Sequence, residues 1–155
     1  MTKRVPFTAW VCLAAAVSAQ STPNFSGTWA MNTSKGQNLG MMTSMQITEI
    51  VTQTPTELRM KDMSTFQGQD RTRELRYDLT GVPTVNEGPM GDESETVAKW
   101  SGDKLVTTWT SEGAVAGTKV VRTETRSLSA DGKTMAVESA RGTNPPVVMV
   151  FERRP

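Results

Sequence analysis

The feature that most constrains the fold of this chain is an alternation of apolar and charged residues with a period of two. It is clearest at positions 74–79, which read Glu-Leu-Arg-Tyr-Asp-Leu. Because successive side chains of a strand point to opposite faces of a sheet, this pattern predicts a strand with one buried face. Similar segments, rich in β-branched threonine, follow along the chain. The nine candidate strands are 26–32, 43–53, 56–63, 71–79, 94–101, 104–112, 118–128, 133–140 and 147–153.

The connections between these segments predict an antiparallel arrangement. Most are two to six residues long and contain Gly, Pro, Asp or Asn, the residues that favour tight turns. Parallel neighbours would need crossovers of a dozen or more residues. The one long connection, 79–93, is rich in Gly, Pro and acidic residues, and either covers one end of the sheet or stays mobile. A sandwich remains the alternative to a barrel, but two segments of about 11 residues favour the barrel. We therefore predict an all-β fold, a single antiparallel up-and-down meander of 8–10 strands closing into a barrel.

The N-terminal segment predicts export. Lys3 and Arg4 precede an uncharged, mostly apolar stretch, 5–17, which is too short to span a bilayer. A small-x-small cleavage pattern follows at 17–19. We expect residues 1–19 to be a signal peptide and 20–155 to be the barrel domain, located in the periplasm or outside the cell, with no membrane span after cleavage.

Charge and residue types exclude several classes of function. The chain has 17 basic and 16 acidic residues, so losing Lys3 and Arg4 leaves 15 against 16 and a net charge of −1. That balance predicts neither nucleic acid nor an anionic membrane as a partner. The chain has no His, and its single Cys, Cys12, lies in the N-terminal segment. Without the usual nucleophile–base pairs we predict no catalytic residue, no cofactor and no metal site, and interpret the acidic run 92–95 as a solvated loop.

The alternation also suggests which residues face the interior. Arg122, Glu124 and Arg126 share one face of segment 118–128, and three charges on one side predict that this face meets solvent. The Thr face would then point inward, and together with Trp and Met side chains it would suit a small, mostly neutral hydrophobic ligand. The candidate ligand contacts are Thr107, Trp109, Thr123, Thr125 and Met149. The alternative is a filled core, in which case the protein would act through its surface and the 79–93 loop as an envelope or extracellular interaction protein.

Four motifs carry a resemblance to known proteins. They are Phe-Ser-Gly-Thr-Trp at 25–29, Ala-Lys-Trp-Ser-Gly-Asp-Lys-Leu-Val at 98–106, Leu-Ser-Ala-Asp-Gly-Lys-Thr-Met at 128–135 and Val-Phe-Glu-Arg at 150–153. The first resembles the Gly-x-Trp motif of the lipocalin, fatty-acid-binding-protein and avidin group. Together they resemble small secreted bacterial lipocalin-like (calycin-type) proteins of unassigned function. The resemblance implies a barrel with one packed and one open end.

The resemblance also assigns a structural role to three residues. Gly27 and Trp29 match the Gly-x-Trp motif, and Arg153, or alternatively Arg154, matches an arginine of the last strand that lies over that tryptophan. Stacking of a guanidinium on an indole would close the packed end. The chain also departs from fatty-acid-binding proteins, because Met149 and Phe151 occupy the positions of their Arg-x-Tyr pair and cannot bind a carboxylate. The ten residues 33–42 are also too few for their helical lid.

Overall fold

A computed structural model describes residues 22–155 of the chain, and the proposed signal peptide, 1–19, lies outside the described residues. This part of the chain forms ten strands and two short 3₁₀ helices, Thr33–Lys35 and Gly40–Ser44, which lie between the first two strands. The strands are β1 (Gly27–Met31), β2 (Gln46–Gln53), β3 (Glu57–Phe66), β4 (Gln69–Asp78), β5 (Thr84–Glu87), β6 (Glu93–Ser101), β7 (Lys104–Glu112), β8 (Lys119–Leu128), β9 (Thr134–Arg141) and β10 (Val147–Arg153). No helix among residues 22–155 has both the length and the apolar character needed to cross a membrane.

The strands form one antiparallel sheet in which each ladder joins neighbours in the chain, apart from the ladder between β1 and β10. This last pairing, with Trp29 opposite Arg153, curls the sheet into a nearly closed barrel. The predicted antiparallel meander and barrel are confirmed.

One strand was missing from the sequence prediction. Strand β5, with only four residues, lies inside the segment that we expected to be a long loop, and it pairs with β6. Its flanking Pro83 and Gly88 are residues typical of loops, and four residues are too few for an alternation to stand out. The 79–93 segment is therefore partly strand.

Side chains close the barrel where the backbone ladder is interrupted, between β4 and β5. The carboxamide of Asn86 accepts a hydrogen bond from the Arg76 backbone N–H at 2.7 Å and donates one to the Arg76 carbonyl at 2.8 Å. The Thr84 hydroxyl donates to the same carbonyl at 2.8 Å. Asn86 thus satisfies the backbone groups that a neighbouring strand would otherwise pair.

The packed end of the barrel is built around Trp29, which is fully buried. Its indole N–H donates to the Phe25 carbonyl at 2.8 Å, and the guanidinium of Arg153 lies 4.3 Å from the centroid of its ring. Arg153 also donates to the Ser26 carbonyl at 2.6 Å. Gly27 has a φ of +137°, and a Cβ there would collide with the Arg153 guanidinium, so both the backbone and the close approach require glycine.

The prediction of which face of β8 meets solvent was wrong. Arg126 is buried, and the register pairs it with Leu105, which is also buried. Arg122 and Glu124 lie on the same inward face, opposite Trp109 and Thr107 of β7. Charged side chains can face the interior because they form ion pairs there, which the pattern of one strand does not reveal.

Candidate functional site

The barrel has a partly open cavity of about 730 Å³ at the end where β2, β4 and β10 begin. This volume falls within the roughly 300–1,000 Å³ of small-molecule sites. The 3₁₀ helix Gly40–Ser44 forms one lip, where Met41 is 79% exposed and also lines the cavity. The apolar part of the wall consists of Met41, Met42, Met45, Ile47, Phe66, Pro89, Val147, Met149 and Phe151.

The polar part of the wall contains equal numbers of acidic and basic side chains. Three carboxylates and three guanidinium groups border the cavity, so its formal charge is zero. These residues are Glu49, Asp62, Asp70, Arg71, Arg73 and Arg122, and the uncharged polar ones are Ser64, Gln69 and Ser139. The charged side chains nearest the packed half, on β2, β3, β4 and β8, form what we call the charged floor: Glu49, Asp62, Arg73, Arg122, Glu124 and Arg126.

The most deeply buried pair of the charged floor joins β8 to β2 across the barrel. Arg126 donates two hydrogen bonds to Glu49, at 2.8 and 3.2 Å, and both side chains are only 6% exposed. Burial raises the pKa of Glu49 above its usual range, and the nearby Arg126 opposes that rise. Burial also acts to lower the pKa of Arg126, but Glu49 and other neighbours outweigh it and the net shift is upward, so Arg126 stays charged. The pair holds opposite walls of the barrel together.

The remaining floor charges are paired as well. Arg73 bonds to Oδ2 of Asp62 on the neighbouring strand. Arg122 lies 3.3 Å from Glu124 and stacks 4.7 Å from the ring centroid of Trp109. At the mouth Arg71 bonds to Glu87 of β5. Each arginine that borders the cavity therefore has a carboxylate partner within the chain.

Four buried polar atoms at this level have no hydrogen-bond partner among residues 22–155: Asp62 Oδ1, Tyr77 OH, Trp109 Nε1 and Arg122 Nε. Asp62 and Arg122 border the cavity, whereas Tyr77 and Trp109 lie within the packed core. The Arg122 Nε is within ion-pair distance of Glu124 but lacks hydrogen-bond geometry. Buried polar groups are normally satisfied, so these four atoms are polar groups whose hydrogen-bonding capacity the described residues leave unused.

The candidate contacts from the sequence lie in three places. Met149 borders the cavity. Thr107 and Trp109 are buried on the inward face of β7, below the cavity wall. Thr123 and Thr125 lie on the face of β8 opposite Arg122 and Arg126. Ligand contact by any of the five stays a prediction.

Sequence reasoning missed the charged floor. A signal was present: Glu49 lies between Ile47 and Val51, and Asp62 follows Met60 by two residues, so each acid occupies an otherwise apolar face. Single charges on the apolar faces of two strands, matched by arginines on two other strands, indicate internal ion pairs. Among the described residues no three His, Cys, Asp or Glu side chains are arranged to hold a metal ion.

Solved structures share this fold at low sequence identity. Lipid binding protein 8 of Caenorhabditis elegans matches with a TM-score of 0.65 and 12% identity, covering 84% of this chain and 95% of that one. Human cRBP IV gives 0.62 and 15%, covering 85% and 99%. The Schistosoma mansoni fatty acid binding protein, solved with arachidonic acid, gives 0.64 and 18%, covering 84% and 96%.

No protein-family model matches the sequence, and no curated protein matches it significantly. At these identities the structural matches establish architecture alone. The chain has the calycin-type β-barrel fold, in its ten-stranded, nearly closed form.

Proposed function

We propose that this protein binds a small, mostly neutral hydrophobic molecule inside its barrel. The observation that carries the proposal is the cavity of about 730 Å³, half of whose lining residues are apolar, among them four methionines. Apolar walls with a few polar groups are typical of ligand sites. The alternative, a protein with a filled core that acts through its surface, would leave this cavity unexplained.

Two further observations support the class of ligand. The charges that border the cavity sum to zero, and each of its arginines is engaged by a carboxylate of the chain, which favours a neutral molecule. Proteins that share the fold are described as fatty acid or lipid binding proteins, which supports a hydrophobic ligand.

Binding can be tested with the neutral apolar dye N-phenylnaphthylamine, together with native mass spectrometry of the purified protein. We expect one dye molecule per chain and its displacement by a long-chain lipid. Ser139→Trp should fill the cavity and weaken binding at least about tenfold, because Ser139 lines it. The control Glu138→Trp changes the exposed neighbour on the outer face of β9 and should bind normally. Absence of any bound molecule, or equal binding by both variants, would exclude the cavity as a ligand site.

Export is the second part of the proposal, and it rests on the charged, apolar and small-residue pattern of residues 1–19. Expression of the full chain in a bacterium, followed by fractionation and N-terminal sequencing, tests it. We expect an exported product that begins at Gln20. An intact chain that begins at Met1 in the cytoplasm would contradict export.

A further inference from the structure

We infer that Met41, at the lip of the cavity, is a modification site at which oxidation of the thioether by a peroxide weakens ligand binding. The inference rests on the proposed binding function and adds a way in which that binding is regulated. It depends on how the methionine side chains are distributed between solvent, cavity and core. Among residues 22–155, only Met41 is both exposed as a methionine and part of the cavity wall.

Exposure to solvent divides the methionines of residues 22–155 into exposed, half-buried and buried side chains. Met41 is 79% exposed and Met90 is 90% exposed. Met60 and Met135, whose sulfur atoms lie near the Arg126 guanidinium, are only 3% and 0% exposed. A peroxide must reach the sulfur atom to oxidise it, so reactivity follows exposure. Met41 and Met90 should therefore be oxidised first, while the folded barrel protects Met60 and Met135.

The two exposed methionines differ in their relation to the cavity. Met41 belongs to the 3₁₀ helix Gly40–Ser44 and borders the cavity. Met90 lies in the turn between β5 and β6, and it is not among the described residues that line the cavity. Oxidation of Met90 should therefore leave binding unchanged, which makes this residue an internal control for Met41.

The lip does not depend on the Met41 side chain for its position. Leu39, which precedes the helix, is only 6% exposed and anchors the lip to the barrel. The backbone N–H of Met42 donates to the Leu39 carbonyl at 3.0 Å, and that of Met45 donates to the Met42 carbonyl at 3.1 Å. These contacts do not involve the side chain of Met41. Oxidation there should therefore change the polarity of the lip and leave its fold intact.

Oxidation converts an apolar thioether into a polar group beside the ligand. The sulfur lone pair attacks one oxygen of hydrogen peroxide, the O–O bond breaks, and the sulfur keeps that oxygen as a sulfoxide while the peroxide is reduced to water. The sulfoxide oxygen accepts hydrogen bonds from water. A hydrophobic ligand that covers the lip would remove this water without replacing its hydrogen bonds, which corresponds to about a tenfold loss of affinity.

The test treats the full-length protein with limiting hydrogen peroxide and follows oxidation and N-phenylnaphthylamine binding together. Met41 shares the tryptic peptide 36–59 with Met42 and Met45, so tandem mass spectrometry is needed to locate the added oxygen. We expect the dye affinity to fall about tenfold, in step with the sulfoxide at Met41 and not with that at Met90. A wild-type protein that keeps its affinity once Met41 is oxidised would overturn the inference.

Reversal identifies the chemical group responsible. The two types of methionine sulfoxide reductase, one for each epimer, should restore the dye affinity when they are supplied with dithiothreitol. Dithiothreitol alone should not restore it. Recovery with dithiothreitol alone would assign the loss to oxidation of Cys12, the single cysteine of the chain, and would overturn the inference.

Variants assign the effect to Met41. Each protein is compared with itself before and after peroxide, so a change in starting affinity does not enter the comparison. Met41→Leu, which lacks the sulfur, should lose less than about twofold in affinity on oxidation, whereas the matched control Met90→Leu should show the full wild-type loss. Met41→Gln places a polar acceptor at the lip without oxidation and should bind the dye about tenfold less tightly than Met41→Leu. Equal losses on oxidation in Met41→Leu and Met90→Leu would overturn the inference.

The untreated protein separates failure of this inference from failure of the proposed function. If it binds neither the dye nor any lipid, the proposed function fails and the inference fails with it. If it binds the dye and oxidation of Met41 leaves that binding unchanged, only the inference fails. Circular dichroism before and after peroxide should show the same strand signal, and its loss would contradict an effect confined to the lip. The wild-type relation between sulfoxide and affinity stands even if a variant does not fold.

Discussion

Removing one partner of the Glu49–Arg126 pair should destabilise the barrel much more than removing both. Glu49→Leu deletes the acceptor of two hydrogen bonds and leaves a guanidinium that is only 6% exposed without its main partner. Replacing both residues, by Glu49→Leu with Arg126→Met, leaves no buried charge at this position. The thioethers of Met60 and Met135 already lie 3.6 and 3.8 Å from the guanidinium, so the surroundings suit an apolar side chain.

The burial of the pair sets the size of the effect. Breaking a buried ion pair by removing one partner costs about 3–5 kcal/mol. Replacing the whole pair with apolar residues of similar volume is often neutral, or stabilising by about 1–4 kcal/mol. The coupling energy between the two sites should therefore be at least about 3 kcal/mol, a large fraction of the roughly 5–15 kcal/mol that stabilises a domain.

The measurement is urea unfolding of the wild-type protein, both single variants and the double variant, followed by tryptophan fluorescence and circular dichroism. Glu112→Gln serves as the control, because Glu112 and its partner Lys119 are both largely exposed, and its unfolding midpoint should not move. If Glu49→Leu costs less than about 1 kcal/mol, or if the double variant loses the sum of the two single losses, the pair is solvated rather than buried and our account of the floor is wrong.

Three further predictions concern closure and acid stability. Gly27→Ala should lower the free energy of unfolding by about 1–3 kcal/mol. The loss should exceed that of the control Gly102→Ala, because Gly102 also has a positive φ but has open space around it. Equal losses would exclude a role for the Arg153 contact. Asn86→Ala should cost about 1–3 kcal/mol and speed amide exchange along β4, and unchanged exchange would show that the gap does not depend on its carboxamide. A hydrogen bond from Ser129 lowers the pKa of Asp131, so ionised Asp131 stabilises the folded state. That stabilisation is present above the ordinary pKa of 3.8 and is lost as the pH falls through the lowered pKa. Asp131→Asn should therefore make the free energy of unfolding fall less steeply in acid, as measured by urea unfolding at several pH values.

The fold could be predicted because its information is local. Alternation within a segment and the turn chemistry between segments are read over fewer than ten residues, and the predicted last strand, 147–153, coincides with β10. Strand β5 was not predicted because it has only four residues, and because it is held to β4 by the side chains of Thr84 and Asn86. A short strand held in this way leaves no pattern in the sequence.

The site could not be predicted, because alternation tells which residues share a face and not which face is inside. The three charges of β8 predict that their face meets solvent. Arg126 nevertheless points inward, because Glu49, 77 positions away in the chain, neutralises it. Only the closure of the barrel brings these two residues together. The cavity is likewise a property of the closed barrel, because it depends on how far the side chains of opposite walls reach.

The interior has three levels, and their order supports a recognition role for the charged floor. Phe25, Trp29 and Tyr77 fill the packed half, the floor lies above them, and the cavity occupies the other half. Apolar side chains could occupy the floor with equal or greater stability, so the need for a folded barrel does not explain the ion pairs. The floor lies where the packed half meets the hollow one. At this boundary a charged side chain can form an ion pair and also lie next to a ligand in the cavity. The apolar double variant at Glu49 and Arg126 should therefore keep its fold while changing which ligands displace N-phenylnaphthylamine, because Glu49 borders the cavity and its replacement makes that part of the wall apolar.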